Sequence, residues 1–142
     1  MKRPWLVKQR NGSDCGICCL AMVTNRPYEE VLQVVGDAYS PEDGMVNTPI
    51  ALERLGYVRE DVLAARNGFR VFDVDEDATP LGMHILFGRR AILSVPSLKT
   101  KGGWHLVYWT GQQLLDPGSN PDRNVYELAP RTLLLFRETF HI

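Results

Sequence analysis

Cys15 is the residue of this chain whose surroundings best suit a nucleophile. It follows Asp14 and opens a segment, Gly16 to Met22, in which small and apolar residues alternate at helical spacing. Since aspartate is a favoured residue immediately before a helix, we predict that Cys15 lies in the first helical turn. There, unpaired backbone N–H groups and the positive end of the helix dipole favour a thiolate over a thiol. The expected chemistry is nucleophilic attack by sulfur.

A histidine and an aspartate further along the chain have the spacing expected of a base and its orienting acid. His105 begins an apolar, aromatic run that is typical of a strand, and Asp116 ends a second short strand just before Pro117-Gly118. A tight turn at residues 110–112 would join the two strands into a hairpin and bring His105 beside Asp116. An acid in that position holds the imidazole in one tautomer and stabilises the imidazolium.

Four motifs, taken in order, resemble those of the bacteriocin-processing cysteine peptidases. They are Gln9, Asp14-Cys15-Gly16, the Gly102-Gly103-Trp104-His105 segment and Asp116-Pro117. In that family a papain-like domain, usually attached to an exporter, removes a leader peptide after two glycines. The resemblance implies that Cys15 is the nucleophile, His105 the base and Asp116 the orienting acid. It also implies that the side-chain amide of Gln9, six residues before Cys15, helps the Cys15 N–H to form an oxyanion hole.

The fold class that follows is α+β, with residues 1–142 forming a single papain-like domain. The resemblance implies N-terminal helices packed on a C-terminal antiparallel sheet, with the site in the groove between them. Local patterns predict helices over 14–24 and 28–38, and a third helix that starts with Thr48 as its cap and stops at Gly56. Predicted strands cover 69–74, 91–95, 105–109, 114–116 and 132–136, whereas 40–47 is predicted to be a loop and 81–87 fits either a short helix or a strand.

Composition narrows the classes of function. The net charge is −1 with scattered charges, which argues against a nucleic-acid-binding face. We find no signal peptide, no membrane span of roughly 20 apolar residues and no nucleotide-binding loop, and so expect a standalone cytoplasmic domain without an exporter. The three cysteines are crowded into five positions, which disfavours a disulfide framework and suits a reducing compartment. No motif calls for a cofactor or a metal.

Other interpretations of the cysteines remain open. Cys15-Gly16-Ile17-Cys18 is formally a Cys-x-x-Cys sequence, as in thiol oxidoreductases, although the preceding residues are polar rather than strand-like. A zinc site normally needs a second ligand cluster, which the sequence lacks. Cys18 and Cys19 are expected to be small core residues, while His84 is expected to be structural and His141 solvated.

The reaction and its substrate are the least constrained predictions. A catalytically inactive, peptide-binding papain-like module is a further alternative, and acyl transfer or deamidation would use the same residues as hydrolysis. For a peptidase, the resemblance implies cleavage of a protein or peptide in trans after small residues such as Gly-Gly, because glycine lets the backbone approach the nucleophile closely.

Overall fold

The computed structural model describes residues 6–64, 70–72, 88–96, 104–118, 125–127 and 132–138. Its helices are α1 (Cys15–Thr24), α2 (Tyr28–Val35), a short 3-10 turn (Gly36–Ala38) and α3 (Thr48–Arg54). Its strands are β1 (Tyr39–Ser40), β2 (Met45–Val46), β3 (Tyr57–Ala64), β4 (Arg70–Phe72), β5 (Ala91–Pro96), β6 (Trp104–Trp109), β7 (Leu114–Leu115), β8 (Val125–Glu127) and β9 (Thr132–Glu138). All strand pairs are antiparallel, so the α+β class predicted from the sequence is confirmed.

Helix α1 forms the centre of the described core. Every residue from Gly16 to Val23 is buried, as expected for a helix that is apolar on all sides. It packs against β6, α2 and β2. A Cβ at Gly16 would come within 2.7 Å of Val46 Cγ2, so only glycine fits where β2 crosses the start of the helix. The first turn, which carries Cys15, is therefore held between the sheet and the β1–β2 hairpin.

The main sheet has five strands in the order β3-β9-β5-β6-β7. Strands β6 and β7 are joined by a tight turn, in which Thr110 N–H donates to the Gln113 carbonyl, and Trp109 pairs with Leu114. The predicted hairpin is thus confirmed. It places His105 on β6 and Asp116 directly after the edge strand β7.

Some predicted boundaries were wrong. The second helix ends at Val35, where Gly36 adopts a positive φ of 53°, and the chain continues as the 3-10 turn. Asn47 rather than Thr48 caps α3, because its side-chain oxygen accepts a hydrogen bond from Ile50 N–H. The segment 40–47 contains the end of β1 and all of β2.

Besides β1 and β2, strands β3 and β8 were not predicted. Strand β3 is charged in its first half, and it pairs with β9 through a register shift between Arg59 and Asp61.

Some features singled out in the sequence lie outside the described residues. They are the segment 81–87, the pair Gly102-Gly103, His84 and His141. Within the described ranges, no helix has the length and apolar character needed to span a membrane.

Candidate active site

Cys15 is the first residue of α1 and is partly exposed, whereas Cys18 and Cys19 are fully buried. As the first helical residue, Cys15 has a backbone N–H without an intrahelical acceptor, and it lies at the positive end of the helix dipole. All three cysteines are free thiols. The sulfur that the sequence singled out is thus the one of the three that solvent reaches.

His105 and Asp116 form a close pair. His105 Nε2 lies 2.6 Å from Asp116 Oδ1, and the two side chains are only 16% and 10% exposed. Gly118 N–H donates to the same Asp116 oxygen at 2.7 Å. A carboxylate held by two donors has little freedom to rotate, so the orientation of the imidazole is fixed with it.

Cys15 completes the arrangement on the other side of the imidazole. Burial by itself would lower the pKa of His105, but hydrogen bonds with Asp116 and then with Cys15, together with the charges of both, raise it to about 9. Since Nε2 is bound to Asp116, Nδ1 is the ring nitrogen left for Cys15. A protonated imidazole between a sulfur and a carboxylate can stabilise a thiolate and later donate a proton.

Gln9 lies beside this group. Its backbone N–H donates to the Pro117 carbonyl at 2.8 Å. A Cβ built on Gly118 would be 3.4 Å from Gln9 Oε1 and 3.3 Å from His105 Nε2, which shows how closely these groups surround that glycine. The Gln9 side-chain Nε2 donates to the Asn11 carbonyl at 3.2 Å and to Asp14 Oδ1 at 3.4 Å. The amide is therefore next to the His105–Asp116 pair, with its donors engaged within the loop before α1.

Asp14 has a different structural role from the one predicted. It precedes α1, but its side chain makes no capping hydrogen bond to the helix. Its carboxylate is fully buried and accepts hydrogen bonds from Arg10 N–H at 2.9 Å and from the Tyr28 hydroxyl at 2.7 Å. Burial opposes its ionisation, yet these bonds, with those from Asn11 and Gln9, hold the pKa of Asp14 below its usual value.

The redox alternative requires a second accessible thiol, and Cys18 does not provide one. Its Sγ lies 3.9 Å from Asp14 Oδ2, and its side chain is fully buried. Burial, reinforced by the negative charge of Asp14, raises the pKa of Cys18 to about 12. Cys19 is equally buried, and the pKa of its thiol is also raised by burial. Both residues have the core positions that the sequence predicted for them.

The structure brings together Cys15, His105, Asp116 and Gln9 from three separate parts of the chain. Sequence reasoning missed the buried role of Asp14 and the contribution of Tyr28, whose hydroxyl reaches it from α2. No local signal distinguishes an aspartate that caps a helix from one that is buried beneath a loop. Among the described residues, no group of three or more His, Cys, Asp or Glu side chains is arranged to hold a metal ion.

Comparison with known proteins gives no family assignment. No protein-family model matches this sequence, and no curated protein matches it well enough to count as a relative.

Proposed function

We propose that this protein is a papain-like cysteine peptidase that cleaves a peptide or protein supplied in trans, as its resemblance to the bacteriocin-processing peptidases implies. The observation that carries the proposal is one partly buried imidazole that lies 2.6 Å from Asp116 and also hydrogen-bonds with the thiol of Cys15. A nucleophile, a base and an orienting acid in contact are the arrangement expected for acyl transfer through a thioester.

The reaction begins with the Cys15 thiolate paired with the His105 imidazolium. Sulfur attacks the carbonyl carbon of the scissile peptide, forming a C–S bond, and the carbonyl oxygen becomes an oxyanion. The donors proposed to bind that oxyanion are the Cys15 backbone N–H and the Gln9 amide. When the C–N bond breaks, the imidazolium gives its proton to the departing amine and leaves a thioester.

Water then releases the product. His105, now neutral, takes a proton from water, and the resulting hydroxide attacks the thioester carbonyl. The C–S bond breaks, the carboxylic acid product departs and the thiolate–imidazolium pair is restored. Asp116 keeps the imidazole oriented through both proton transfers.

A thiol oxidoreductase fits this site less well. That chemistry would use Cys18 as the partner of Cys15, but Cys18 is buried and has a raised pKa, which slows thiolate attack. It would also give the His105–Asp116 pair no function. A peptide-binding module without catalysis would need a surface that binds peptides but would not need an imidazole in contact with a thiol.

Labelling of the intact chain tests the proposal. We expect a peptidyl electrophile ending in Gly-Gly to modify Cys15 alone, and brief iodoacetamide treatment to alkylate Cys15 faster than Cys18 or Cys19, as read by peptide mapping. His105→Ala should abolish peptidyl labelling and the cleavage of Gly-Gly peptides, whereas Cys19→Ala, the matched cysteine control, should retain both. Equal alkylation of the three thiols, or preferential alkylation of Cys18, would contradict the peptidase and favour the redox chemistry.

A further inference from the structure

Asp14 carries a charged side chain that is fully buried. Oδ2 accepts hydrogen bonds from Arg10 N–H, the Tyr28 hydroxyl and the Cys18 thiol, and Oδ1 accepts from Asn11 N–H and the Gln9 amide. A buried carboxylate without partners would be very costly, so this set of donors is what allows it to stay ionised. None of them is a backbone N–H of the first turn of α1, which Asp14 immediately precedes.

These contacts fold the loop before Cys15 around the Asp14 carboxylate. Three of the donors belong to consecutive residues, Gln9, Arg10 and Asn11, and a fourth, the Tyr28 hydroxyl, fixes the carboxylate to α2. The same loop is joined to the turn that follows Asp116 by the hydrogen bond from Gln9 N–H to the Pro117 carbonyl. Asp14 is therefore one of the groups that hold the Gln9 amide in the loop before Cys15.

We propose that Asp14 is a positioning residue of the peptidase site, whose carboxylate holds the Gln9 amide ready to bind the oxyanion formed at Cys15. The proposal rests on the function proposed above. Of the two bonds made by Gln9 Nε2, the one to Asp14 is the longer, at 3.4 Å, and is the one more readily exchanged for a developing oxyanion. The 3.2 Å bond to the Asn11 carbonyl then keeps the amide oriented.

A double-mutant cycle on the full chain measures this role. The variants are Asp14→Asn, Gln9→Ala and the double mutant. For each, kcat and KM are measured on a fluorescence-quenched peptide that contains Gly-Gly. Alkylation of Cys15 by iodoacetamide is measured alongside, because this reaction needs no oxyanion donor. We expect Asp14→Asn to lower kcat by up to about 10²-fold, the loss produced by displacing a catalytic group by about 1 Å. Added to Gln9→Ala, it should cause little further loss, because both changes remove the same interaction.

The rate of Cys15 alkylation distinguishes a misplaced Gln9 amide from general damage to the site. The proposed mechanism assigns activation of the thiol to His105, so Cys15 of Asp14→Asn should react with iodoacetamide no more slowly than in the wild type. Should Asp14→Asn fail to fold, Tyr28→Phe replaces it in the cycle, since it removes the 2.7 Å hydroxyl bond and leaves the carboxylate in place. We expect a smaller loss of kcat from it that is again non-additive with Gln9→Ala.

The outcomes distinguish the two proposals. A wild-type chain that neither cleaves the peptide nor shows preferential alkylation of Cys15 overturns the proposed function. An active wild type in which Asp14→Asn has the same kcat, or in which its loss multiplies with that of Gln9→Ala, overturns only the positioning role of Asp14. If the Tyr28→Phe cycle is used, an unchanged kcat in Tyr28→Phe, or a loss of kcat that multiplies with that of Gln9→Ala, likewise overturns the positioning role of Asp14.

Discussion

The backbone N–H of Gln9 donates a 2.8 Å hydrogen bond to the carbonyl of Pro117. This bond joins the loop that precedes the thiol-bearing helix to the turn that follows Asp116, across a sequence separation that spans most of the chain. Gly118 lies in the same turn and donates its own N–H to Asp116 at 2.7 Å. The relative position of Cys15 and the His105–Asp116 pair is therefore fixed by backbone contacts as well as by side chains.

Replacing Gly118 with alanine should disturb the acid–base pair. Its Cβ would lie 3.1 Å from Asp116 Oδ1 and 3.3 Å from His105 Nε2, and these atoms cannot withdraw without stretching their 2.6 Å hydrogen bond. We expect Gly118→Ala to lower turnover of a Gly-Gly peptide by about 10–10²-fold, a loss typical of a small misplacement of catalytic groups. The measurement is kcat together with the melting temperature.

Gly12→Ala is the matched control, because a Cβ at Gly12 meets no atom within 4 Å. Neither glycine has a positive φ, so the two substitutions differ in surroundings rather than in backbone strain. Gly12→Ala should keep wild-type turnover. Wild-type turnover in Gly118→Ala would show that the pair tolerates displacement and would contradict the tight geometry described here.

The pH dependence of activity should depend on Asp116. Because the pKa of His105 is raised to about 9, the imidazolium that protonates the departing amine persists well above neutrality, and activity should fall as pH rises through about 9. In Asp116→Asn the carboxylate charge is lost, the pKa of His105 moves back toward its ordinary value of 6.5, and the alkaline fall should shift to lower pH. Profiles of kcat/KM against pH measure the shift.

Turnover of Asp116→Asn should also fall less than that of His105→Ala, since in the proposed mechanism the carboxylate orients the base and does not transfer the proton. An alkaline limb at the same pH in wild type and Asp116→Asn would mean that Asp116 does not control the protonation of His105. A turnover loss equal to that of His105→Ala, with intact folding, would show that the acid matters as much as the base.

Stability should follow the titration of His105 once the sulfur of Cys15 is removed. In the wild type, the proposed thiolate–imidazolium pair binds as many protons as a neutral thiol and a neutral imidazole, so the variant Cys15→Ala isolates the imidazole. There the hydrogen bond with Asp116 still raises the pKa of His105 above its ordinary value of 6.5, and the folded state binds more protons than the unfolded state above that pH. The stabilisation is fully present below about pH 6.5, and the free energy of unfolding of Cys15→Ala should decrease as pH rises above it. Denaturant titrations should show the decrease, and adding Asp116→Asn should flatten it. A flat curve for Cys15→Ala would contradict a pKa raised by Asp116.

The sequence was sufficient to predict that Cys15, His105 and Asp116 lie close together, because these residues carry strong local signals. Cys15 begins an apolar helix, and His105 and Asp116 lie at the ends of strands joined by a turn, so the hairpin could be inferred from spacing alone. Strand β3 could not be inferred in this way, because its pairing with β9 is a long-range contact that local composition does not specify. The burial of Asp14 likewise depends on Tyr28, which a different helix supplies.

Arg90 should contribute to stability at the far end of α1. Its guanidinium donates to the Val23 carbonyl near the end of the helix and to the Tyr108 hydroxyl at 2.8 Å, and it lies within 6 Å of the Tyr57 and Tyr108 rings. We expect Arg90→Met to lower the free energy of unfolding by about 2 kcal/mol, because it removes charged hydrogen bonds from a partly buried position. Denaturant unfolding measures the loss, and turnover of the folded protein should be unchanged.

Arg54 provides the comparison for Arg90. It also donates to a carbonyl near a helix end, that of Val35, but its side chain is 40% exposed and its ion pair with Asp37 lies at the surface. Arg54→Met should therefore cost less, about 1 kcal/mol or below. A larger loss for Arg54→Met than for Arg90→Met would show that burial is not what gives Arg90 its effect.

Substrate choice is the final prediction, and it rests on the proposed peptidase. The resemblance to the bacteriocin-processing peptidases implies a narrow cleft at Cys15, which a scissile carbonyl reaches by close approach of the substrate backbone. Glycine permits that approach, since it has no Cβ and adopts conformations denied to other residues. In a library of extended peptides we expect fastest cleavage after Gly-Gly, slower cleavage after Gly-Ala, and little after Gly-Phe. Mass spectrometry of the products identifies the bond that is cut. A preference for a bulky residue immediately before that bond would rule out the double-glycine specificity while leaving the roles of Cys15 and His105 intact.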